Sequence, residues 1–231
     1  MAVYAFSDLH GQYALWKQIE SFLKPGDSAY CLGDCGDRGP YGWQIIKEVL
    51  ATPNITYIRG NHEQFIIDED YWLWRCNGGA LTIDAAESDT DKEWLRVQKE
   101  LSETPLIKAY TNKRKQKIVL CHAGFDPELI QFWDNEEILW NRTHIAYSWP
   151  MFWKDSKIIV IHGHTPIQYM DKYISSDQEI SYEKFGAYWY CKGHKCCIDQ
   201  GSFMSGKTLL LDLDTFEEHI FTIKLEDTKY E

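Results

Sequence analysis

A chain of 231 residues with 44% apolar and 26% charged side chains is long enough for one full core and has the composition of an ordinary soluble globular protein. Its formal charge of −11 counts against nucleic acid as the main partner, because binding a polyanion relies on Lys and Arg to neutralise phosphates. No apolar run approaches the roughly 18 residues of a membrane span, no secretory signal is visible, and with an odd count of seven cysteines a reduced cytoplasmic setting is expected.

The β-formers Val3–Phe6 run into Ser7-Asp8-Leu9-His10-Gly11. Residues 12–24 then carry Leu15, Ile19, Phe22 and Leu23 at helical spacing and stop before Pro25-Gly26. A second strand at 29–32 leads into Gly33-Asp34-Cys35-Gly36-Asp37-Arg38-Gly39, and a second helix over 41–50 ends before Pro53. A third strand at 55–58 leads into Gly60-Asn61-His62-Glu63, with a third helix expected over 62–74. This β-α-β-α-β order predicts a parallel sheet with helices on its faces. Residues 84–104 are polar and acidic, with a helix expected over 91–101, outside the sheet core. The second half reads as strands at 117–120, 158–161, 196–199, 207–213 and 219–224, the last two forming a hairpin. Together these elements predict the α/β class, as a two-sheet sandwich flanked by helices. With no linker, repeat or low-complexity tract, residues 1–231 read as one domain.

Five strands thus end in Asp, His or Asn beside Gly, the other two at Cys121-His122-Ala123-Gly124 and His162-Gly163-His164-Thr165. In open α/β sheets, sites lie outside the carboxyl ends of strands. Asp8-x-His10, read as an extended segment, would point both side chains the same way. Asp34 is a carboxylate able to bridge two ions, and Asn61, His122 and His164 add an amide oxygen and two imidazoles. Two Asp, one Asn and three His make a mixed donor set that suits Mn, Fe or Zn better than Ca or Mg. No Cys is among them, which speaks against a structural zinc–thiolate site. Two metals roughly 3.5–4 Å apart can hold a hydroxide for in-line attack on phosphorus. Arg38 and Arg142 offer guanidinium groups that hold two phosphate oxygens at once. His62 is the candidate general acid, with Asp37 the carboxylate that would charge it. The chemistry expected is metal-dependent phosphoester hydrolysis.

These motifs resemble those of the phosphoprotein phosphatase family of metallophosphoesterases (calcineurin-like), and in particular the small phage (lambda-type) and bacterial serine/threonine protein phosphatases. Arg59-Gly60-Asn61-His62-Glu63-Gln64, Asn77-Gly78-Gly79, Leu139-Trp140-Asn141-Arg142, Gly163-His164-Thr165-Pro166 and Ile198-Asp199-Gln200-Gly201 extend the likeness over residues 3–213. The resemblance implies a first metal on Asp8, His10 and Asp34, and a second on Asp34, Asn61, His122 and His164. It makes His62 with Asp37 the acid, and gives Arg38, Arg142 and Asn61 the phosphate. Manganese is the first expectation for the two ions, and a phosphorylated protein or small phosphoester the expected substrate. Ser7 in place of Gly, His162 at a usually apolar position, Gln200 in place of Thr and an apparent insertion at 168–195 depart from the pattern, but none removes a ligand.

Rival readings are a symmetrical dinucleoside-tetraphosphate hydrolase, whose members tend to lack Asp37 and to carry Asp at the position of Glu63, and a non-catalytic binding module, which would have a broken ligand set. A nuclease or cyclic-nucleotide phosphodiesterase is disfavoured by the acidic charge and the missing G-H-x-H pattern. Cys191-x-x-His194-x-Cys196-Cys197 has no common zinc-finger spacing and is expected to be buried thiols. His162 is expected to face away from His164 as a hydrogen-bonded interior imidazole, Cys35 to be redox-sensitive, and Arg59 and His144 to be ion-pair and surface residues.

Overall fold

The computed structural model describes residues 1–125, 135–147, 157–174 and 185–225. In chain order these form β1 (Val3–Phe6), α1 (Tyr13–Phe22), β2 (Ser28–Cys31), α2 (Gly42–Ala51), β3 (Ile55–Tyr57), α3 (Asn61–Asp68), α4 (Tyr71–Cys76), α5 (Ala80–Glu87), α6 (Asp91–Glu103), β4 (Ile107–Thr111), β5 (Lys117–Cys121), α7 (Asn135–Trp140), α8 (Thr143–Ala146), β6 (Ile158–His162), β7 (Tyr188–Tyr190), β8 (Lys195–Cys197), α9 (Ser202–Ser205), β9 (Lys207–Asp212) and β10 (Glu218–Thr222). The strands build two mixed five-stranded sheets, ordered β10-β9-β1-β2-β3 and β4-β5-β6-β8-β7. In the first, β1, β2 and β3 are parallel and β9–β10 is the expected antiparallel hairpin, with Leu210 opposite His219. In the second, β5, β6 and β8 are parallel, and β4 and β7 close the edges antiparallel.

Strand side chains alternate between faces, so each strand feeds two cores. Tyr4, Phe6 and Leu210 face α1–α6, packing with Trp16, Ile19, Ile46, Phe65 and Val97. Ala5, Leu209 and Leu211 face the other way and meet Ile118, Leu120, Ile159 and Ile161 between the sheets. The outer face of the second sheet is covered in part by Ile145 of α8 and by Ile167 and Met170 of a 3-10 turn, Ile167–Lys172. No helix among the described residues is long and apolar enough to cross a membrane.

Three expectations need correction. The helix expected over 62–74 is two helices: Glu69 adopts φ 54°, and Asp70 caps α4 by accepting from the Leu73 N–H at 3.0 Å. The edge strands β4 and β7 were not expected; β4 is partly exposed and β7 has only three residues, so neither carries a strong period-two signal. Arg59 and His144 are interior. Arg59 donates to the carbonyls of Ser102 and Thr104 and to Gln64, and His144 is fully buried against Gly124. By contrast, Cys191, Cys196 and Cys197 are buried, Cys196 between the sheets and the other two on the outer face. Of the stretch 168–195, residues 175–184 lie outside the described part.

Candidate active site

The carboxyl ends of β1, β2 and β3 and of β5 and β6 converge on one rim, and the loops that follow them carry the sequence-derived residues. Asp8, His10, Asp34, Asp37, Arg38 and His164 all have φ between 42° and 67°. They are six of the eleven non-glycine residues in the left-handed region among those described. That conformation is costly for a side chain with a Cβ, and it concentrates where the chain must turn sharply to aim a functional group. Asp8 and His10 are therefore brought together by left-handed turns; extended alternation, the reason given from sequence, does not apply. Close approach adds a second constraint: a Cβ on Gly163 would fall 2.1 Å from Asp8 Oδ2.

The side chains fall into two groups that share Asp34. Asp34 Oδ1 lies 3.3 Å from His122 Nε2, which is 2.8 Å from Asn61 Oδ1 and 3.2 Å from His164 Nδ1. Asp34 Oδ2 faces the other side, 3.7 Å from both His10 Nε2 and His62 Nε2, with Asp8 Oδ1 3.9 Å from His10 Nε2. His10, Asp34 and His62, and again Asp34, His122 and His164, are buried sets spaced to hold an ion. The placement of His62 in the first set differs from its expected role, but its Nδ1 is committed elsewhere, as described below.

Tautomers can be assigned from these contacts. His122 Nδ1 lies 2.7 Å from the Leu32 carbonyl and His10 Nδ1 2.9 Å from that of Gly36, so in each ring Nδ1 is the donor and Nε2 presents a lone pair. With His122 neutral, lone pairs of an imidazole, an amide oxygen and a carboxylate would point at one another around its Nε2. Such a convergence of acceptors is unfavourable unless a cation or proton sits among them, and the donor set therefore fits a divalent metal. Charges agree. Burial works to raise Asp34, but His122, His62 and His10 hold it well below the usual carboxylate range. Burial would lower His122, but Asp34 lifts it to about 10. Burial keeps His10 and His164 well below the usual imidazole range, His10 aided by Arg38 and His164 by His122 and Arg142. A third carboxylate, Asp199, is raised to about 7, chiefly by burial.

Loop 33–35 is pinned by Glu63, whose Oε2 accepts from the Asp34 and Gly60 N–H groups and Oε1 from the Cys35 N–H and the Tyr57 hydroxyl. Cys35 Sγ lies 3.3 Å from Cys31 Sγ, and burial pushes the Cys35 thiol well up. His62 Nδ1 sits 2.5 Å from Asp37 Oδ2. Both Asp37 oxygens also accept from the Trp74 indole N–H, at 2.9 and 2.8 Å. Sequence reasoning did not single out Trp74; nothing in the local pattern links it to Asp37, 37 positions away. Arg38 reaches His10 Nε2 at 2.7 Å and His62 Nε2 at 3.2 Å, and its guanidinium lies 4.6 Å from the centre of the Phe203 ring. Arg142 Nε donates to Thr165 Oγ1 at 3.2 Å, next to His164. His162 points to the outer face of β6, its Nε2 2.8 Å from the Tyr190 hydroxyl and away from the site as expected. Strand alternation would put positions 162 and 164 on one face, but β6 ends at His162 and His164 turns off at φ 66°.

Comparisons with known proteins bear on this arrangement. The family profile of calcineurin-like phosphoesterases matches residues 1–197. A symmetrical bis(5'-nucleosyl)-tetraphosphatase from Delftia acidovorans is 24% identical over 146 residues, 60% of this chain and 48% of that protein, so the chain spans about half the length of this curated relative. A crystal structure of a candidate diadenosine tetraphosphatase superposes with a TM-score of 0.66 at 16% identity, over 97% of this chain and 94% of that one. A protein serine/threonine phosphatase from Saccharomyces cerevisiae superposes with a TM-score of 0.58 at 14% identity, over 98% and 82% of the two chains. These two likenesses are of fold.

Proposed function

The chain belongs to the calcineurin-like phosphoesterase family, and from that premise we propose that it is a phosphomonoesterase acting on phosphoserine and phosphothreonine in proteins. The observation that carries this reading is the His62–Asp37–Trp74 relay. Serine and threonine leave phosphorus as strongly basic alkoxides and need a proton as they depart. A phosphoanhydride expels a weakly basic phosphate and has little use for one. A buried imidazole raised above its ordinary value, with a carboxylate fixing its other nitrogen, suits the first task. Burial opposes that rise, and Asp34 and Asp37 outweigh it.

Asp8, His10 and Asp34 would hold one divalent ion, and Asp34, Asn61, His122 and His164 the other, manganese first and iron or zinc after it. When bound, the pair supplies a nucleophilic oxygen from water at neutral pH and neutralises charge on phosphate. Arg38, Arg142 and the Asn61 amide orient the phosphate oxygens, and His62 Nε2 donates to the departing oxygen. The displacement is a single in-line step, with inversion at phosphorus and no phosphoenzyme. We place the protein in the cytoplasm, a location that suits its seven free thiols.

A cleft of about 580 Å³ opens from Asn61 between Phe65 and Trp140 toward Asp68 and Asp70. Asp68 and Asp70 at its far end disfavour a polyphosphate tail there. The competing reading, cleavage of dinucleoside tetraphosphates, draws on the similarity to the Delftia protein. The decisive assay compares phosphopeptides, diadenosine tetraphosphate and cyclic nucleotides on metal-reconstituted enzyme. Phosphopeptides should be preferred, and a clear preference for diadenosine tetraphosphate would sink the proposal. Within the phosphomonoesters, His62→Asn should slow phosphoserine hydrolysis by about 10²–10⁴. It should slow p-nitrophenyl phosphate, which has a good leaving group, far less.

A further inference from the structure

Arg38 is held in an unusual way for a phosphate-binding arginine. Among the described residues no carboxylate lies within ion-pair distance of it. Its polar side-chain contacts are His10 Nε2 and His62 Nε2. The first of these atoms presents the lone pair that a metal would claim, and the second would serve the leaving group. The remaining support is aromatic: the guanidinium carbon lies 4.6 Å from the centre of the Phe203 ring. That contact competes with neither metal nor proton transfer.

Phe203 is itself tied to the site. It is the second residue of α9, a four-residue helix. The preceding Gly201 takes φ 61°, and its N–H donates to Asp199 Oδ1 at 2.7 Å. The next residue, Ser202, donates its hydroxyl to the Asp8 carbonyl. The Phe203 ring also meets the His10 ring edge-on, centroids 5.5 Å apart at 86°. His10, however, keeps its own anchor through Nδ1 and the Gly36 carbonyl, so its aim does not depend on Phe203.

We propose that Phe203 is a positioning residue whose ring face holds the Arg38 guanidinium at the mouth of the metal centre for phosphate. The proposal rests on the phosphoesterase reading of the site. Its test is a double-mutant cycle on manganese-loaded protein, using Phe203→Ala, Arg38→Ala and the pair. The measurements are kcat/KM on p-nitrophenyl phosphate, the affinity for inorganic phosphate by calorimetry, and bound metal by elemental analysis. Phe203→Ala should lower kcat/KM and phosphate affinity by about 3- to 30-fold, the span of a cation–π contact. Bound metal should be unchanged, and Phe203→Tyr should restore both readouts. In the Arg38→Ala background the same truncation should cost less than about twofold, since its effect runs through the missing guanidinium. A general packing role predicts equal losses with and without Arg38, and that result overturns the proposal, as does loss of metal in Phe203→Ala. Phe203→Leu, which keeps the apolar volume, serves if the alanine variant folds poorly, and should show the same dependence on Arg38. If the wild-type protein hydrolysed no phosphomonoester, the phosphate-binding cycle would still decide the coupling while the parent reading failed. Absence of any phosphate binding overturns both.

Discussion

His62 is pulled in opposite directions. Burial disfavours the imidazolium, and Arg38 adds to that, while Asp34 and Asp37 favour it and prevail, so its pKa lies above the ordinary imidazole value. A general acid must be protonated in the reactive complex, so turnover should fall as pH rises through this raised pKa. Removing the Asp37 charge takes away stabilisation of the charged form and lowers that pKa. The alkaline limb of kcat in Asp37→Asn should therefore move to lower pH, with kcat at neutral pH reduced by about 10-fold or more. The check is a pH–rate profile for kcat in wild type and variant. A limb that does not move, or moves upward, assigns the titration to another group. Metal content should stay at the wild-type level, because Asp37 is oriented toward His62 and Trp74.

At the scale of elements, α4 and α5 support the proposed acid from behind, through Trp74 and the turn that follows it. Gly79, with φ −79° and ψ −5°, lies just before α5 in a conformation any residue accepts. Gly79 is the N-cap of α5, a position where glycine is preferred to alanine, so helix propensity gives Gly79→Ala no advantage. A Cβ there would fall 2.1 Å from Trp74 Cδ1 and 2.4 Å from Nε1, too close without moving the indole. Steric overlap and the loss of the preferred cap residue therefore act in the same direction. The variant should lose about 1–3 kcal/mol of stability by chemical denaturation. It should also lose turnover by weakening the indole's hold on Asp37, and its circular dichroism should stay native. A variant as active and as stable as wild type would show that Trp74 has room to shift.

The gathering of Asp34, Asn61, His122 and His164 at one rim was legible from their residue types and their positions just after strands. Gly79 and Trp74 were not, since their role is a close approach between segments distant in the chain. The parallel β1-β2-β3 unit was readable from its alternating strand and helix patterns, whereas β4 and β7, held at edges by pairing with neighbours, were not. The burial of His144 and Arg59 was equally hidden, because only the assembled structure supplies the carbonyls and loops that receive them.

Across the whole molecule, the proposed donors come from both sheets. Asp8, Asp34 and Asn61 follow β1, β2 and β3 of one sheet, and His122 and His164 follow β5 and β6 of the other. An ion bound between them would cross-link the sandwich at its rim and replace the proton that His122 Nε2 holds among Asp34, Asn61 and His164. Because the unfolded chain holds no such arrangement, binding should stabilise the fold by mass action, about 2.7 kcal/mol per site at a free concentration one hundred times Kd. For a domain of this size that corresponds to a rise of about 5–10 °C in melting temperature. Chelated protein titrated with manganese should show it, and chelator should reverse it. The shared carboxylate gives the sharper form of the prediction. His10→Ala and His122→Ala should each retain one ion, measured by elemental analysis, with a reduced thermal shift. Asp34→Ala should retain neither and melt at one temperature with or without manganese. If Asp34→Ala instead kept a full complement of metal, its two oxygens would not be divided between the two groups, and the centre would have to be built on other residues.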